Sequence, residues 1–315
     1  MGFHSIRTKA FAFPPKNMWI GILISFLALP VLGRMSAQEQ RKTENALDNA
    51  SDSASVVVSK PTSSEDSAQA AAKNAAQNPV ASVISIPIQS NTEYGVGPYR
   101  RALNETLIEP VIPLRLTENW ILITRTIIPV VVLPRLSPNS NVTYGLGNME
   151  PQFYLSPAHP GKIIWGAGPE LYLPTASDDS LSVNSSLVPI GRKWGGGVDA
   201  VALTKHGHWL GGVLLNNEWA GLNHNHVNEM TLNPFLYYNF SHGWYLVSSE
   251  VMGADWTAPR NQRWTVPAGG GFGRVFKVGN QALNARTQFW NDTQRQVGGP
   301  SWTMQTQLQL LYPRR

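Results

Sequence analysis

Two pairs of histidines are the first residues in this chain whose types and spacing could support chemistry. His206 and His208 flank one glycine, and His224 and His226 flank one asparagine. Two imidazoles at positions i and i+2 of a strand share a face and can bind one transition-metal ion. The strand predicted between the pairs, residues 209–219, would hold them about 35 Å apart at ~3.3 Å per residue. Neither pair has a nearby cysteine or carboxylate set, so we predict solvated histidines and no metal site.

Three other motifs also fall short of a catalytic or cofactor site. Asp178 and Asp179, in the longest predicted connection, could bind Ca²⁺ or bridge cations at a lipopolysaccharide surface, but we favour a plain solvated loop. The run Gly269 to Gly271 lacks the Lys-Ser/Thr of a phosphate loop and indicates local curvature of a sheet. No Gly-x-Ser-x-Gly elbow is present in the sequence. We therefore expect no enzyme, no catalytic residue and no cofactor.

Nine charged residues are stronger candidates, because they fall on the polar faces of predicted strands. An arginine that faces lipid in the middle of a membrane costs about 2–4 kcal/mol, so an inward orientation is favoured if these strands span a membrane. Two interpretations remain open: ion pairs that brace and plug a narrow barrel, or a polar constriction that selects solutes. The nine candidates for lining the lumen are Glu109, Arg115, Arg125, Glu150, Glu170, Glu218, Glu229, Arg274 and Arg286.

The elements that would position these residues are strands, since no convincing helical periodicity follows residue 80. Many of the strands alternate apolar and polar residues; in the last, Trp302, Leu308 and Tyr312 share a face opposite Gln305 and Gln309. We predict an all-β fold, an antiparallel up-and-down transmembrane barrel of about twelve strands. The predicted strands are 80–90, 105–116, 120–132, 147–156, 163–174, 193–204, 209–219, 229–240, 244–255, 263–275, 281–290 and 301–312.

The connections and the tryptophans support this interpretation. Connections alternate long and short along the chain, beginning with a long one at 91–104 and ending with a long one at 291–300. Both ends of the barrel then lie on the short-turn, periplasmic side. Ten of the eleven tryptophans lie between Trp120 and Trp302, at strand ends. Four follow short turns and six border long connections, which predicts two aromatic girdles at membrane boundaries.

The first 79 residues differ in composition from the rest. Basic residues, an apolar run over 18–33 and small residues up to Ala37 predict a signal peptide over 1–37, with a single membrane anchor as the alternative. Residues 38–79 are rich in Ser, Ala, Asn and Gln, which predicts a disordered periplasmic linker before the barrel at 80–315. An Ala-rich piece, residues 67–77, could form a transient helix. The chain lacks cysteine, and its net charge of +5 forms no basic block, so nucleic-acid binding is not expected.

The second half of the chain, from Tyr144 onward, contains a series of short motifs. They are YGLGNMEPQF (144–153), SP (156–157), IWGAGP (164–169), LPTA (173–176), KWG (193–195), NPF (233–235), GW (243–244), WTVP (264–267) and KVG (277–279). In their order and spacing these motifs resemble the outer-membrane transporter family associated with the meta-pathway of phenol degradation. The resemblance implies a barrel that passes hydrophobic or aromatic compounds, and it carries over no residue-level active site.

The sequence thus predicts an exported outer-membrane channel for passive uptake of small molecules, aromatic or hydrophobic compounds among them. Its expected partners are outer-membrane lipid and lipopolysaccharide, the barrel assembly machinery and a small-molecule solute. The alternative is a plugged structural or adhesion barrel that acts through its extracellular loops. An outer-membrane hydrolase is a third and weaker hypothesis.

Overall fold

A computed structural model describes residues 65–182, 192–221 and 227–312. Within these residues the alternating pattern forms fifteen β-segments in one sheet. The segments are β1 (Ile84–Val96), β2 (Arg101–Ile108), β3 (Val111–Arg115), β4 (Trp120–Leu133), β5 (Thr143–Leu146), β6 (Glu150–Pro157), β7 (Ile163–Tyr172), β8 (Gly195–His206), β9 (Trp209–Ala220), β10 (Val227–Asn239), β11 (Trp244–Ser249), β12 (Met252–Asp255), β13 (Trp264–Val278), β14 (Gln281–Gln294) and β15 (Trp302–Tyr312).

The fifteen segments form twelve barrel strands, because three strands consist of two segments each: β2 with β3, β5 with β6, and β11 with β12. All the pairings are antiparallel, and successive strands are neighbours. The barrel closes where β1 pairs with β15, in a register that runs from Ile84 opposite Tyr312 to Tyr94 opposite Trp302. Closure leaves no sheet edge unpaired. The predicted twelve-stranded antiparallel barrel is confirmed.

The connections fall at two ends of the barrel. One end, here the short-turn end, carries 116–119, 158–162, 207–208, 240–243 and 279–280, and both termini of the barrel. The other, the long-loop end, carries 97–100, 134–142, 173–194, 221–226, 256–263 and 295–301. In the two-residue turns Gly207 and Gly279 both have a φ of +57°, which favours glycine at the first turn position.

The first connection corrects a prediction. The sequence predicts a long loop over 91–104, whereas β1 continues to Val96 and the turn is only 97–100. Asn91 and Glu93 lie inside the strand and line the barrel interior. Polar residues on an inward strand face resemble loop residues in sequence, which explains the difference.

In the described residues one α-helix, α1 (Glu65–Gln77), precedes the barrel. It lies within the segment 38–79 for which the sequence predicts a disordered linker, and it includes the Ala-rich piece 67–77 for which the sequence predicts a transient helix. Residues 38–64 and the predicted signal peptide lie outside the described residues. In the described part of the chain, no helix is long and apolar enough to cross a membrane.

The two faces of the sheet differ in chemistry. Many large apolar side chains on the outer face are exposed, for example Leu246 and Phe272 at 51% each and Leu236 at 46%. The inner face carries a cluster of buried apolar side chains, mainly near the short-turn end, and polar side chains elsewhere. The cluster comprises Val80, Val111, Ile121, Ile123, Tyr154, Val201, Leu203, Leu210, Phe235, Tyr237, Tyr245, Val247 and Val275.

Candidate functional site inside the barrel

The barrel encloses a cavity of about 510 Å³. Its walls come from the inner faces of most strands, and residues 75–79 at the end of α1 also line it. The last strand shows the pattern clearly, because Thr303, Gln305 and Gln309 line the cavity while Leu308 and Tyr312 are exposed on the outer face. The cavity is therefore the polar side of the alternation that the sequence shows.

Eight of the nine predicted lumen residues lie on the inner face by register, and seven of them are in or beside the cavity. Glu109, Arg125, Glu150, Glu218 and Arg286 line the cavity. Glu170 accepts hydrogen bonds from Gln152 and Asn216, which also line the cavity. Glu229 is directly opposite Glu218 in the β9–β10 register, so both side chains point to the same face.

Arg274 corrects the prediction. Its guanidinium carbon lies 5.2 Å from the Trp244 ring centroid, and its Nε donates to the His242 carbonyl oxygen at 3.3 Å. Arg274 therefore lies on the outer face, in register with Trp244, while the neighbouring Val275 is buried inside. The run before it is rich in glycine and gives no side-chain alternation from which to assign a face. Because Arg274 is near the strand end, its charge can reach the polar boundary beside an aromatic ring.

Arg115 also lies away from the cavity. It is the last residue of β3 and is exposed. Its guanidinium donates to the carbonyl oxygens of Thr117 and Glu118 at 3.3 and 3.1 Å, in the turn that follows. It therefore stabilises a turn at the short-turn end.

Two arginines remain inside, and both are bound to neighbouring side chains. Arg125 forms an ion pair with Glu109 at 2.8 Å and donates to the Gln152 side chain at 3.3 Å. Arg286 donates to the Tyr237 hydroxyl at 3.1 Å and to the Gln89 side chain at 3.0 Å. Hydrogen bonds to several strands fix each guanidinium against the wall.

Three predicted residues come together in an acidic cluster. Carboxylate oxygens of Glu150, Glu170 and Glu218 all lie within 4.8 Å of one another. Glu170 and Glu218 both lie opposite Gly197 of β8, the strand between theirs. Since Gly197 has no side chain, β8 places no side chain between the two carboxylates along this row.

The sequence prediction missed four inner acids. Glu93, Glu105 and Asp292 line the cavity, and Asp199 lies opposite Asn216 on the same face. Glu93 falls in the predicted loop 91–104, and Glu105 is the first residue of the predicted strand 105–116. Asp292 falls just past the end of the predicted strand 281–290. Asp199 alternates with Gly197, Val201 and Leu203, which is a signal that could have placed it.

The inner charge is strongly unbalanced. Apart from Asp255, whose carboxylate accepts hydrogen bonds from the backbone at 257–258, the described residues on the inner face between the strand ends include nine acids and only two arginines, Arg125 and Arg286. Most of the acids lie toward the long-loop end, while the arginines lie nearer the middle. The nine acids are Glu93, Glu105, Glu109, Glu150, Glu170, Asp199, Glu218, Glu229 and Asp292.

Helix α1 forms part of the cavity floor at the short-turn end. Its small residues Ala72 and Ala76 pack against the apolar cluster of the barrel. On a neighbouring helix face, Gln69 and Lys73 donate to the carbonyl oxygens of Val275 and Phe240 at 3.3 and 3.4 Å. These contacts at i and i+4 hold one face of the helix against the barrel wall.

The end of α1 is fixed by a second set of polar contacts. The Gln77 and Asn239 side chains exchange two hydrogen bonds of 2.9 and 3.2 Å, and both residues are buried. Lys205 donates to the Asn74 side chain at 2.8 Å. Burial, and the nearby charge of Lys205, lower the pKa of Lys73.

The tryptophans mostly follow the predicted girdles. At the short-turn end Trp120, Trp165, Trp209 and Trp244 are exposed, and the first two form an edge contact with centroids 6.1 Å apart. At the other end Trp302 stacks on Tyr94 at 3.9 Å. Trp290 is the exception, because its side chain lines the cavity.

The remaining motifs of the sequence lie away from the cavity. His206 and His208 adjoin a tight turn, where His208 Nδ1 lies 2.8 Å from the Asn239 carbonyl oxygen, and His224 and His226 lie outside the described residues. Asp178 accepts hydrogen bonds from the Ser180 hydroxyl at 2.6 Å and from the Ser180 backbone at 2.8 Å, and both lower the pKa of its carboxyl. Asp179 pairs with Arg192 at 2.8 Å on the surface.

Comparison with known proteins supports the barrel fold. No family model matches the chain, and no curated protein matches it. Among solved structures, an outer membrane channel from Pseudomonas putida F1 is similar with a TM-score of 0.54 and 14% identity, over 75% of this chain and 97% of that chain. CdiB from Acinetobacter baumannii gives a TM-score of 0.34 and 9% identity, over 74% of this chain and 60% of that one, which is too weak to support an argument.

The likeness to the Pseudomonas channel concerns the fold. At 14% identity it shows that this chain shares the barrel architecture of a solved outer membrane channel. The resemblance to the phenol meta-pathway family is not matched by a family model, so it stays a prediction.

Proposed function

We propose that this protein is an outer-membrane channel through which small molecules diffuse passively, with cations favoured over anions. One observation carries the proposal. The closed barrel has exposed apolar side chains on its outer face and charged side chains around an internal cavity of about 510 Å³. A water-soluble barrel would have the opposite arrangement.

The outer surface supports the membrane location. Aromatic residues gather near both ends of the barrel, and the outer faces between them carry large apolar side chains. That arrangement suits a bilayer with two polar boundaries. Export through the signal peptide predicted over 1–37, insertion by the barrel assembly machinery and contact with lipopolysaccharide belong to the same proposal.

The inner surface supports the solute preference. Nine acids against two arginines produce a negative potential that raises the local concentration of cations. Phe235, Tyr237 and Trp290 also line the cavity and offer apolar contact to a flat ring. We therefore extend the proposal to small aromatic solutes, which the resemblance to the phenol meta-pathway family also implies.

Planar bilayers test the proposal directly. The full chain, folded and checked by heat-modifiable gel mobility, should give a reversal potential that shows K⁺ more permeant than Cl⁻ in a KCl gradient. Liposome swelling should be faster with phenyltrimethylammonium than with benzoate, two aromatic ions of similar size. A folded barrel that prefers anions would contradict the proposal.

A plugged barrel is the second candidate, and the position of α1 favours it. The helix lines the floor of the cavity and hydrogen-bonds to the barrel. If α1 closes the short-turn end permanently, the folded protein will conduct no ions and swell no liposomes. Conduction by the wild-type protein excludes a plugged barrel. The third hypothesis, an outer-membrane hydrolase, requires a separate lipid hydrolysis assay.

A further inference from the structure

We propose that Glu150, Glu170 and Glu218 bind one divalent cation of the calcium type on the inner wall of the barrel. Ca²⁺ takes six to eight oxygen ligands at about 2.3–2.6 Å, so two oxygens on one ion are at most about 5 Å apart. The three carboxylates meet this condition, with oxygens within 4.8 Å of one another. Gly197 lies between Glu170 and Glu218 in the strand register and places no side chain between them.

A second observation beside the cluster points to a cation. Asp199 is two residues from Gly197 on the same face and only 3% exposed. Neither of its carboxylate oxygens has a hydrogen-bond donor among the described residues. Two donors beside it bind other side chains, because the Tyr154 hydroxyl donates to Gln152 and the Asn216 amide donates to Glu170. Asp199 lies opposite Asn216 in the β8–β9 register, so its side chain is on the same wall as the cluster.

The neighbouring arginine does not satisfy these carboxylates. Arg125 is engaged by Glu109 at 2.8 Å and by Gln152 at 3.3 Å. No hydrogen bond or ion pair joins the Glu150 or Glu218 carboxylates to another residue of the described chain. A buried group of like charges is costly without a counterion, and a bound divalent cation would remove most of that cost.

The ligand chemistry favours Ca²⁺ over Mg²⁺ and over transition metals. All the candidate ligands are carboxylates, which suit hard cations. Glu150 and Glu218 also line the cavity, so water can complete the coordination shell and the ion can enter from the lumen. The flexible coordination geometry of Ca²⁺ accommodates ligands from three strands more readily than the strict octahedron of Mg²⁺.

The proposed site does not depend on transport, since a plugged barrel could bind the ion equally well. The test is therefore a binding measurement on the full chain, folded in detergent and checked by heat-modifiable mobility. Calorimetric titration with CaCl₂ should show one ion per barrel. Tb³⁺ should bind at the same site, give luminescence excited through the barrel's tyrosines and tryptophans, and be displaced by Ca²⁺.

Matched single-charge variants separate a site from a diffuse negative field. Glu218→Gln should weaken Ca²⁺ binding at least tenfold, and Glu150→Gln serves the same purpose if the first variant does not fold. Glu93→Gln removes one charge from the same cavity outside the cluster and should change binding less than twofold. Absence of Ca²⁺ binding at millimolar concentration, or equal weakening by Glu93→Gln, would overturn the proposal.

Discussion

The Arg125–Glu109 ion pair permits a prediction in which two variants break one contact but change the lumen charge in opposite directions. The pair joins Nη2 to Oε2 at 2.8 Å, with side chains 20% and 8% exposed. Arg125→Gln leaves Glu109 unpaired and makes the lumen more negative. Glu109→Gln leaves Arg125 unpaired and makes the lumen less negative.

Both variants should lose stability. Removing one partner of a buried ion pair costs about 3–5 kcal/mol, and we expect about 3 kcal/mol here because the lumen is partly solvated. Urea titration of barrels folded in lipid vesicles, followed by tryptophan fluorescence, measures this loss. The double variant Arg125→Gln/Glu109→Gln should lose less than the sum of the two single variants, since it leaves no buried charge without a partner.

Ion selectivity should shift in opposite directions. A unit charge about 8 Å from a permeating ion in water contributes ~0.5 kcal/mol, which changes the local ion concentration roughly twofold. Reversal potentials should therefore show a higher K⁺/Cl⁻ permeability ratio for Arg125→Gln and a lower one for Glu109→Gln. The double variant keeps the net charge and should resemble the wild-type protein. A shift in the same direction for both single variants would refute this account of the lumen.

Three further predictions concern α1 and the barrel wall. Asn239→Ala removes the buried contacts that fix the end of α1. This variant should raise single-channel conductance. Unchanged conductance would mean that α1 does not restrict the pore. Gly168→Ala should impair assembly, because a Cβ there would overlap the Phe153 carbonyl oxygen. Gly161→Ala has open space around it and should fold normally, as judged by heat-modifiable mobility. Burial lowers the pKa of Lys73 below 10.5, so its charge opposes docking at pH below the folded pKa. That penalty falls as pH rises through the folded pKa toward 10.5. Hydrogen exchange in α1, corrected for intrinsic rates, should therefore show greater protection in this pH range. A Lys73→Met variant should lose this pH dependence.

The number and order of strands could be predicted because side chains alternate with a period of two along a strand. In β15, for example, the sequence alone predicts which residues face outward and that the glutamines between them face inward. Strand ends were harder to predict, since inward polar residues such as Asn91 and Asp292 have the composition of a loop. Their strand conformation becomes evident only from the pairing with neighbouring strands.

The face of a residue could be predicted only where large side chains mark the alternation. In β13 the glycines before Arg274 leave no such mark, and the outward orientation follows from its register with Trp244. Trp290 was expected in an aromatic girdle because it lies near a long connection, yet its position in β14 directs it inward. Nearness to a strand end does not determine the face.

The acidic cluster required information that a single strand does not contain. Alternation places Glu170 and Glu218 on inward faces, but their separation depends on the register of both β7 and β9 against β8. Only that register brings both carboxylates beside Gly197. The arrangement of an inward glycine between two inward acids therefore depends on the pairing register of three strands.

The sign of the lumen charge is opposite to that of the whole chain, which has a net charge of +5. The difference arises because long basic side chains can sit at strand ends and reach water, as Arg115 and Arg274 do. A shorter carboxylate within a strand has less reach and must face the interior if the outer face meets lipid. Net charge therefore predicts little about the barrel interior, whereas the depth of each charged residue along its strand, once the register is known, predicts which charges face the cavity.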